Sequence, residues 1–301
     1  MKTTAKILTT YENLAIVQLE VKPETTFNFR PGEPEMKTGG LIISEASGNG
    51  IVGKLFAENK TDAFLLLTDA DVLIGAKQNR VVNRSVLLSP FSKTILDVSC
   101  IERRRWQYTS KDFSSTSTVA DHDLRKDKAE SIAIKFRKSG MDNANVQDKV
   151  WSHIHDKMVH ENFESVTESY SDFLHFRITN QQPDFPVCEP AQGCNGIAIL
   201  LNHKIVCIDI FGSESCYRHY FPKLRDSAFR QAKAEGKAKL IDVHEAYFKV
   251  LDLLDNYEKE DRNQDTDYAA AGSFFIVENK EFVGFDLRIQ NQLIHDVLFV
   301  K

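Results

Sequence analysis

The sequence has no apolar run long enough to span a bilayer. Its best runs, such as Ile197 to Leu201, fall far short of the ~20 residues a membrane helix needs. The opening stretch from Met1 to Leu8 carries Lys2 and Lys6 but lacks the apolar segment of a signal peptide. Cysteine is sparse. Cys100, Cys188, Cys194, Cys207 and Cys216 are odd in number and irregularly spaced, and no pair has the two-residue gap that lets adjacent thiolates share a zinc ion. A chain of 301 residues buries enough surface without disulfides, so all five are expected as thiols in a reducing compartment, and the protein is expected in the cytoplasm. Charge of one sign is also missing. Against 43 acidic side chains stand 38 basic ones, a net charge of −5. Such a balance makes no long-range field to draw the whole chain onto nucleic acid or an anionic membrane, so neither is an expected partner. His153 and His155 are two apart and would leave a helix on different sides, so no metal site is expected. A serine nucleophile elbow and a dinucleotide glycine fingerprint are absent, and no cofactor is indicated.

What is present is ordinary globular composition, 42% hydrophobic and 27% charged. The length fits about two core units. The first third reads as strands. Leu14 to Val21, Ile51 to Ala57, Ala63 to Thr68, Val81 to Leu88 and Lys93 to Ser99 are short and rich in β-branched residues, with turn chemistry between them. Such spacing predicts a β-sandwich or partial barrel over residues 1–112. Ser114 to Thr118 has no periodicity and reads as a mobile loop. Val146, Val150, Ile154 and Met158 then recur every fourth residue, one face of an amphipathic helix. Helices are also expected near Leu124 to Phe136 and Val166 to Phe176, which makes 113–190 a helical region. The prolines of Gln181 to Gly193 mark a boundary. Residues 191–301 read as an α/β unit. Ile197 to Ile210 and Phe274 to Leu287 align without gaps as two similar β-hairpins, each with an acid near its end, Asp209 and Asp286. Either acid faces a crevice or caps a turn. Between the hairpins lie helical stretches over Phe221 to Ala234 and Val243 to Tyr257. The fold class is therefore α+β, with the possibility of one compact structure left open.

The residues with most chemical promise lie between 75 and 106. Gly75-Ala76-Lys77-Gln78-Asn79-Arg80 joins a flexible residue, two cations and two amides just before an apolar strand. Backbone at Gly75 would let a ligand approach closely. Lys77 and Arg80 would hold an anion, Arg80 in a bidentate manner. The plainer alternative is a hydrophilic hairpin tip with solvated charges. The second stretch is Val98-Ser99-Cys100-Ile101-Glu102-Arg103-Arg104-Arg105-Trp106. In an extended strand Cys100, Glu102, Arg104 and Trp106 share one side. A thiol near a cation is a candidate nucleophile and Glu102 a candidate base. The alternative is a buried small Cys beside an ion pair. Arg103 to Arg105 with Trp106 would bind phosphate and stack a base, or else form a solvated edge that blocks strand pairing.

Val72 to Arg80, followed by Val98 to Glu102 and Arg105-Trp106, resembles the bacterial ARG-and-rhodanese-phosphatase-superfamily-associated domain family. Val206 to Gly212 and Tyr220 to Leu224 also fit it. The resemblance spans roughly residues 10 to 290. It implies work near NAD-derived, ADP-ribose-linked or phosphorylated metabolites, and special importance for the loop from Lys77 to Arg80. Two functions follow as expectations. In one, Gly75, Lys77, Gln78, Asn79, Arg80, Arg105 and Trp106 hold a nucleotide-like or phosphorylated small molecule, with Glu102 and Cys100 as catalytic candidates. In the other, the chain is a non-catalytic module whose β-rich surface binds a protein partner.

Overall fold

The computed structural model describes residues 2–47, 51–138, 144–180, 185–235 and 242–301. Part of the expected proline-rich boundary, residues 181–184, lies outside them. The fold is α+β and β-rich: among the described residues, six helices and seventeen strands form three sheets, one of them curled into a half-barrel. Contacts divide the chain into two compact units. One gathers Met1–Asn28, Pro183–Tyr268 and Gly272–Lys301, and the other Phe29–Gln182 with Ala269–Ala271.

The first unit is built on an eight-stranded antiparallel sheet. Its spatial order is Lys2–Tyr11, Leu14–Lys22, Gly196–Leu201, Lys204–Phe211, Gln292–Val300, Phe282–Ile289, Ser273–Glu278 and Asn263–Gln264. Both hairpins read from the sequence are present. Asn202 and His203 carry the first turn, both at positive φ, the backbone that a two-residue hairpin turn demands. Side chains alternate across the sheet. Val17, Leu19, Ile208 and Ile210 pack with Ala246, Val250, Leu254 and Tyr257 of the Val243–Lys259 helix. Residues on the other face meet the Glu214–Glu235 helix, where Phe211 stacks on Tyr220 and the Tyr217 hydroxyl donates to Gln18. The two echoing acids part here. Asp209 lies on the Phe211 side with His295 3.3 Å away. Asp286 lies on the opposite side, held by Arg262 and Arg288 and directly across the ladder from Asp296. Both sit fully buried within strands rather than capping turns.

The second unit centres on a six-stranded sheet, ordered Phe113–Val119, Asp71–Gly75, Arg80–Val82, Ser92–Cys100, Lys54–Asn59 and Leu41–Glu45. A small three-stranded sheet holds Phe29–Pro31, Phe64–Leu67 and Val86–Leu88. The apolar stretch from Val81 to Leu88 is thus two strands in different sheets, parted at Asn83 to Ser85. On the inner face Ile43, Leu55, Leu73, Val82, Leu96 and Val98 pack into one core. The outer face carries Val72 and Val81, which pack on Val150, Ile154 and Met158 of the Ala144–His160 helix and on Tyr170 and Phe173 of the Tyr170–Asn180 helix. The stripe at every fourth residue is the helix's buried face.

Ser114 to Thr118 corrects the sequence reading. It lies in the strand Phe113–Val119, paired with Asp71–Gly75 through a register shift. Hydroxyl-rich residues lack a hydrophobic period, but the ladder still satisfies their backbone.

A buried polar cluster ties the helices together. His153 has Nδ1 2.7 Å from Asp127 and Nε2 3.7 Å from Asp121. Burial pushes its pKa down, but the two carboxylates beside it, Asp121 and the hydrogen-bonded Asp127, outweigh that and raise it to about 9. A folded pKa above the unfolded value of about 6.5 stabilises fully below that pH and is lost as pH rises through about 9. His153→Gln should therefore cost more stability at pH 6 than at pH 10, by chemical denaturation. Equal losses at both pH values would remove the charged-imidazole account.

Candidate functional site

The motifs of residues 75–106 meet at one end of the six-stranded sheet. Glu45, Gly75 and Cys100 end their strands there, and Arg80 begins its own, opposite Cys100 in the register. The Ser92–Cys100 strand stops because a helix side chain takes over the ladder. Gln147 accepts from Cys100 N at 2.7 Å and donates to Cys100 O at 2.9 Å. Beyond it the chain bends, so the alternation expected from Cys100 to Trp106 does not persist. Arg104 is exposed while Arg105 turns inward.

Arg105 is the hub. Its Nε donates to Glu102 at 2.8 Å, and its Nη1 donates to Ala76 O, Gln107 O and Thr109 Oγ1. Its Nη2 donates to Gly75 O and to Asn79 Oδ1. Glu102 completes the arrangement, accepting from Asn79 N at 3.2 Å and from the Thr167 hydroxyl at 2.9 Å. Burial pushes the Glu102 carboxyl up, but Arg105, Thr167 and Asn79 together hold it below its ordinary range. An ionised carboxylate with both oxygens engaged is a clasp between two loops. Cys100 is buried, and burial pushes its thiol up although Arg80 pulls the other way. That direction is opposite to the one an activated thiolate needs.

Gly75 also has a neighbour other than ligand. At φ +117° a Cβ would lie 2.3 Å from Ser110 Oγ and 3.2 Å from Asp112 O. The close approach belongs to the 110–112 loop, whose Ser110 hydroxyl accepts from Ala76 N. Gly75→Ala should cost about 1–3 kcal/mol from backbone strain alone, with the crowded serine adding to it. A melting point unchanged from wild type would show that the loops part easily.

The loop 76–80 is not a solvated tip. Gln78 and Asn79 are buried and Arg80 is 0% exposed. Arg80 Nη1 donates to Gln78 Oε1 at 3.0 Å and to Asn79 O at 3.4 Å. Among the described residues its Nε and Nη2 find no acceptor within hydrogen-bond range, and the carboxylate of Glu45 stands 3.9 Å from Nη2. Glu45 Oε1 accepts from Lys77 N at 3.2 Å, while Oε2 is buried without a donor among the described residues. Lys77 reaches over two rings, its Nζ 5.4 Å from the Trp106 centroid and 5.1 Å from that of Tyr108.

Glu45 and Tyr108 line a cleft of about 600 Å³ with Ser44, Ser47, Thr109, Ser110, Lys111 and Asp112. Sequence reasoning missed this wall. Glu45 only follows an apolar strand, and 107–112 is polar loop, so neither carries a local signal. None of the residues singled out from the sequence is among those lining the cleft: Lys77 meets it over the Tyr108 ring and Arg80 through Glu45, whereas Gly75, Asn79, Glu102 and Arg105 form the clasp. Among the described residues no group of three or more His, Cys, Asp or Glu is placed to hold a metal ion, and no helix is long and apolar enough to cross a membrane.

A family model, described as the ARG and Rhodanese-Phosphatase-superfamily-associated Protein domain, matches residues 3–299. No curated protein and no solved structure matches the chain.

Proposed function

The chain belongs to the ARG and Rhodanese-Phosphatase-superfamily-associated Protein domain family, and from that premise we propose that its Glu45–Tyr108 cleft binds a nucleotide-like or phosphorylated small molecule. The observation that carries this reading is Arg80. Its guanidinium is fully buried beside the cleft-wall residue Glu45, and Nε and Nη2 have no acceptor among the described residues, so a water, an ion or a ligand group supplied from outside the chain is their expected partner. Lys77 and Lys111 supply cations at the cleft, and the exposed rings of Trp106 and Tyr108 supply a surface for a base or sugar to stack on. The clasp of Arg105 and Glu102 acts as positioning machinery for the loop that carries Lys77 and Arg80. No reaction is assigned, because Glu102 is fully engaged and Cys100 is buried.

The test is a thermal-shift screen against ADP, ADP-ribose, NAD and sugar phosphates. A ligand at one hundred times its dissociation constant adds about 2.7 kcal/mol of stability. Lys77→Ala, at a partly exposed position, should abolish the shift while leaving the unliganded melting point unchanged. A panel without any shift would overturn the reading and turn attention to a protein partner on the same exposed aromatic surface.

A further inference from the structure

The outer face of the six-stranded sheet is covered over only part of its width. At Val72 and Val81 it lies under the Ala144–His160 and Tyr170–Asn180 helices. On the Lys54–Asn59 and Ser92–Cys100 strands, Leu55, Ala57, Leu96 and Val98 point into the core. By alternation Lys54, Phe56, Glu58, Lys93, Ile95 and Asp97 point outward. Here the face is open: Ile95 is 45% exposed, and Glu58 and Lys93 are exposed with it. The register sets Lys93 beside Glu58, Ile95 beside Phe56 and Asp97 beside Lys54. Further large apolar side chains stand exposed at the ends of the two strands, Phe91 at one end and Ile51 and Val52 at the other. Lys93 keeps its ammonium 4.2 Å from the centre of the Phe56 ring, and Asp97 holds Arg84 at 2.8 Å.

A single exposed apolar residue is ordinary. Several of them across paired strands, framed by charges, have the layout of an interface. We propose that this open face is an isologous interface and that its partner is a second copy of this chain. A twofold interface requires a patch complementary to itself, and the order of the charges meets that requirement. When a copy is turned over about an axis parallel to the two strands and midway between them, the copy's Glu58 faces Lys93 and the copy's Lys54 faces Asp97. When it is turned over about an axis at right angles to the strands through Ile95 and Phe56, the copy's Asp97 faces Lys93 and the copy's Lys54 faces Glu58. In both arrangements each cation meets an anion, and the apolar pair meets the same apolar pair. Both also keep the strands of the two sheets close to aligned, the usual geometry of stacked sheets. A partner of one charge sign would match only half of the face. This interface stands apart from the cleft and does not depend on the ligand reading.

The experiment is sedimentation equilibrium of the full chain at low salt, from micromolar to hundreds of micromolar. A monomer–dimer equilibrium is expected, and added salt should weaken it. Ile95→Glu, at an exposed position, should raise the dissociation constant about thirtyfold or more, the effect of a residue central to an interface. The melting point of the dilute protein should not change. The variant Lys54→Glu/Lys93→Glu makes every outward charge of the two strands acidic, and alone it should be monomeric. Mixed with Glu58→Lys, which adds a lysine to the same face, it should form a mixed dimer. If Ile95→Glu fails to fold, the charge variants decide alone. A native chain that stays monomeric throughout overturns the inference and leaves the face to solvent or to a different protein. A dimer that neither Ile95→Glu nor Lys54→Glu/Lys93→Glu weakens lies elsewhere on the molecule and overturns this face as the interface. A mixture that does not associate overturns the charge matching on which the choice of partner rests.

Discussion

Arg105→Ala should destabilise the protein by about 3–5 kcal/mol, the usual cost of removing one partner of a buried ion pair. The pair is not on the surface: the Arg105 side chain is 14% exposed and that of Glu102 is 6%. Two further losses follow from the same change. The carbonyls of Gly75 and Ala76 and the Asn79 amide oxygen lose a donor, and the link from the loop 76–80 to 107–109 is reduced to the bonds that Thr109 makes to Ala76 O. Water entering at the partly exposed end of Arg105 limits the cost and sets the lower bound. Arg105→Lys should recover little, because a single ammonium cannot reach acceptors spread around a planar fork. The pH dependence carries a sign. Glu102 has a folded pKa below its unfolded value, so its contribution is present above about pH 4.3 and lost as pH falls through the folded pKa. Arg105→Ala should flatten that acid limb as well as lower the plateau. Urea denaturation at pH 7 and pH 3.5 reads both effects. A loss under about 1 kcal/mol at pH 7, the scale of an exposed pair, would mean the clasp is held by its backbone bonds, and the positioning role given to Arg105 would fail.

The second large effect is expected at Asp69. Its carboxylate takes two parallel bonds from Arg125, 2.9 and 3.0 Å, with both side chains 1% exposed. Lys128 lies alongside, donating to the carbonyls of Asp69 and Val82 at 2.6 Å each. Burial pushes Lys128 down to about 7, Asp69 and Asp71 raise it, and Arg125 lowers it. Asp69→Asn removes the negative charge between two buried cations, so a loss of about 3–5 kcal/mol is expected at pH 6. The folded pKa of Lys128 is below its unfolded value of about 10.4, so the unfolded chain binds more protons between the two. Stability from this group therefore rises as pH climbs from about 7 toward 10. In Asp69→Asn the lysine gives up its proton at a lower pH still, and the deficit should be smaller at pH 9 than at pH 6. His153 works in the opposite direction over part of that window, so the comparison is made on the His153→Gln background. A deficit that does not change with pH would show that Lys128 stays charged throughout.

Both predictions concern residues that local pattern could not interpret. Arg105 stands in a run of three arginines that looks alike in the sequence. The structure sends Arg103 and Arg104 outward, toward Glu168, and turns Arg105 into the protein. A cation's partner is decided by what another part of the chain brings to it, and the acceptors on Gly75 and Asn79 arrive from 30 and 26 residues away. Glu45 is a stronger case. Nothing around it marks a site, and only the folded chain sets it 3.9 Å from Arg80, 35 positions on in the sequence and three strands away in the same sheet.

Residues read by period fared differently. The stripe of Val146, Val150, Ile154 and Met158 is a buried helix face because a 3.6-residue repeat puts every fourth residue on one side. The strands of Leu14 to Val21 and Lys93 to Ser99, and the hairpins at Asn202-His203 and Asn279 to Glu281, were legible for the same reason. Their signals are local: alternation for a sheet face and turn-forming residues for a reversal. Alternation does not say which strand is the neighbour. Leu14–Lys22 pairs with Gly196–Leu201 across most of the chain, and Asp209 and Asp286 occupy matching places in two hairpins yet face opposite sides of one sheet. Local pattern was enough for the α+β class, the main elements and the family. Which polar side chains hold the loops, and which are left unmatched at the cleft, emerged only with the folded chain. The reason is range: backbone period is set by neighbours in the chain, whereas satisfaction of a buried charge depends on groups that only folding brings within about 3 Å.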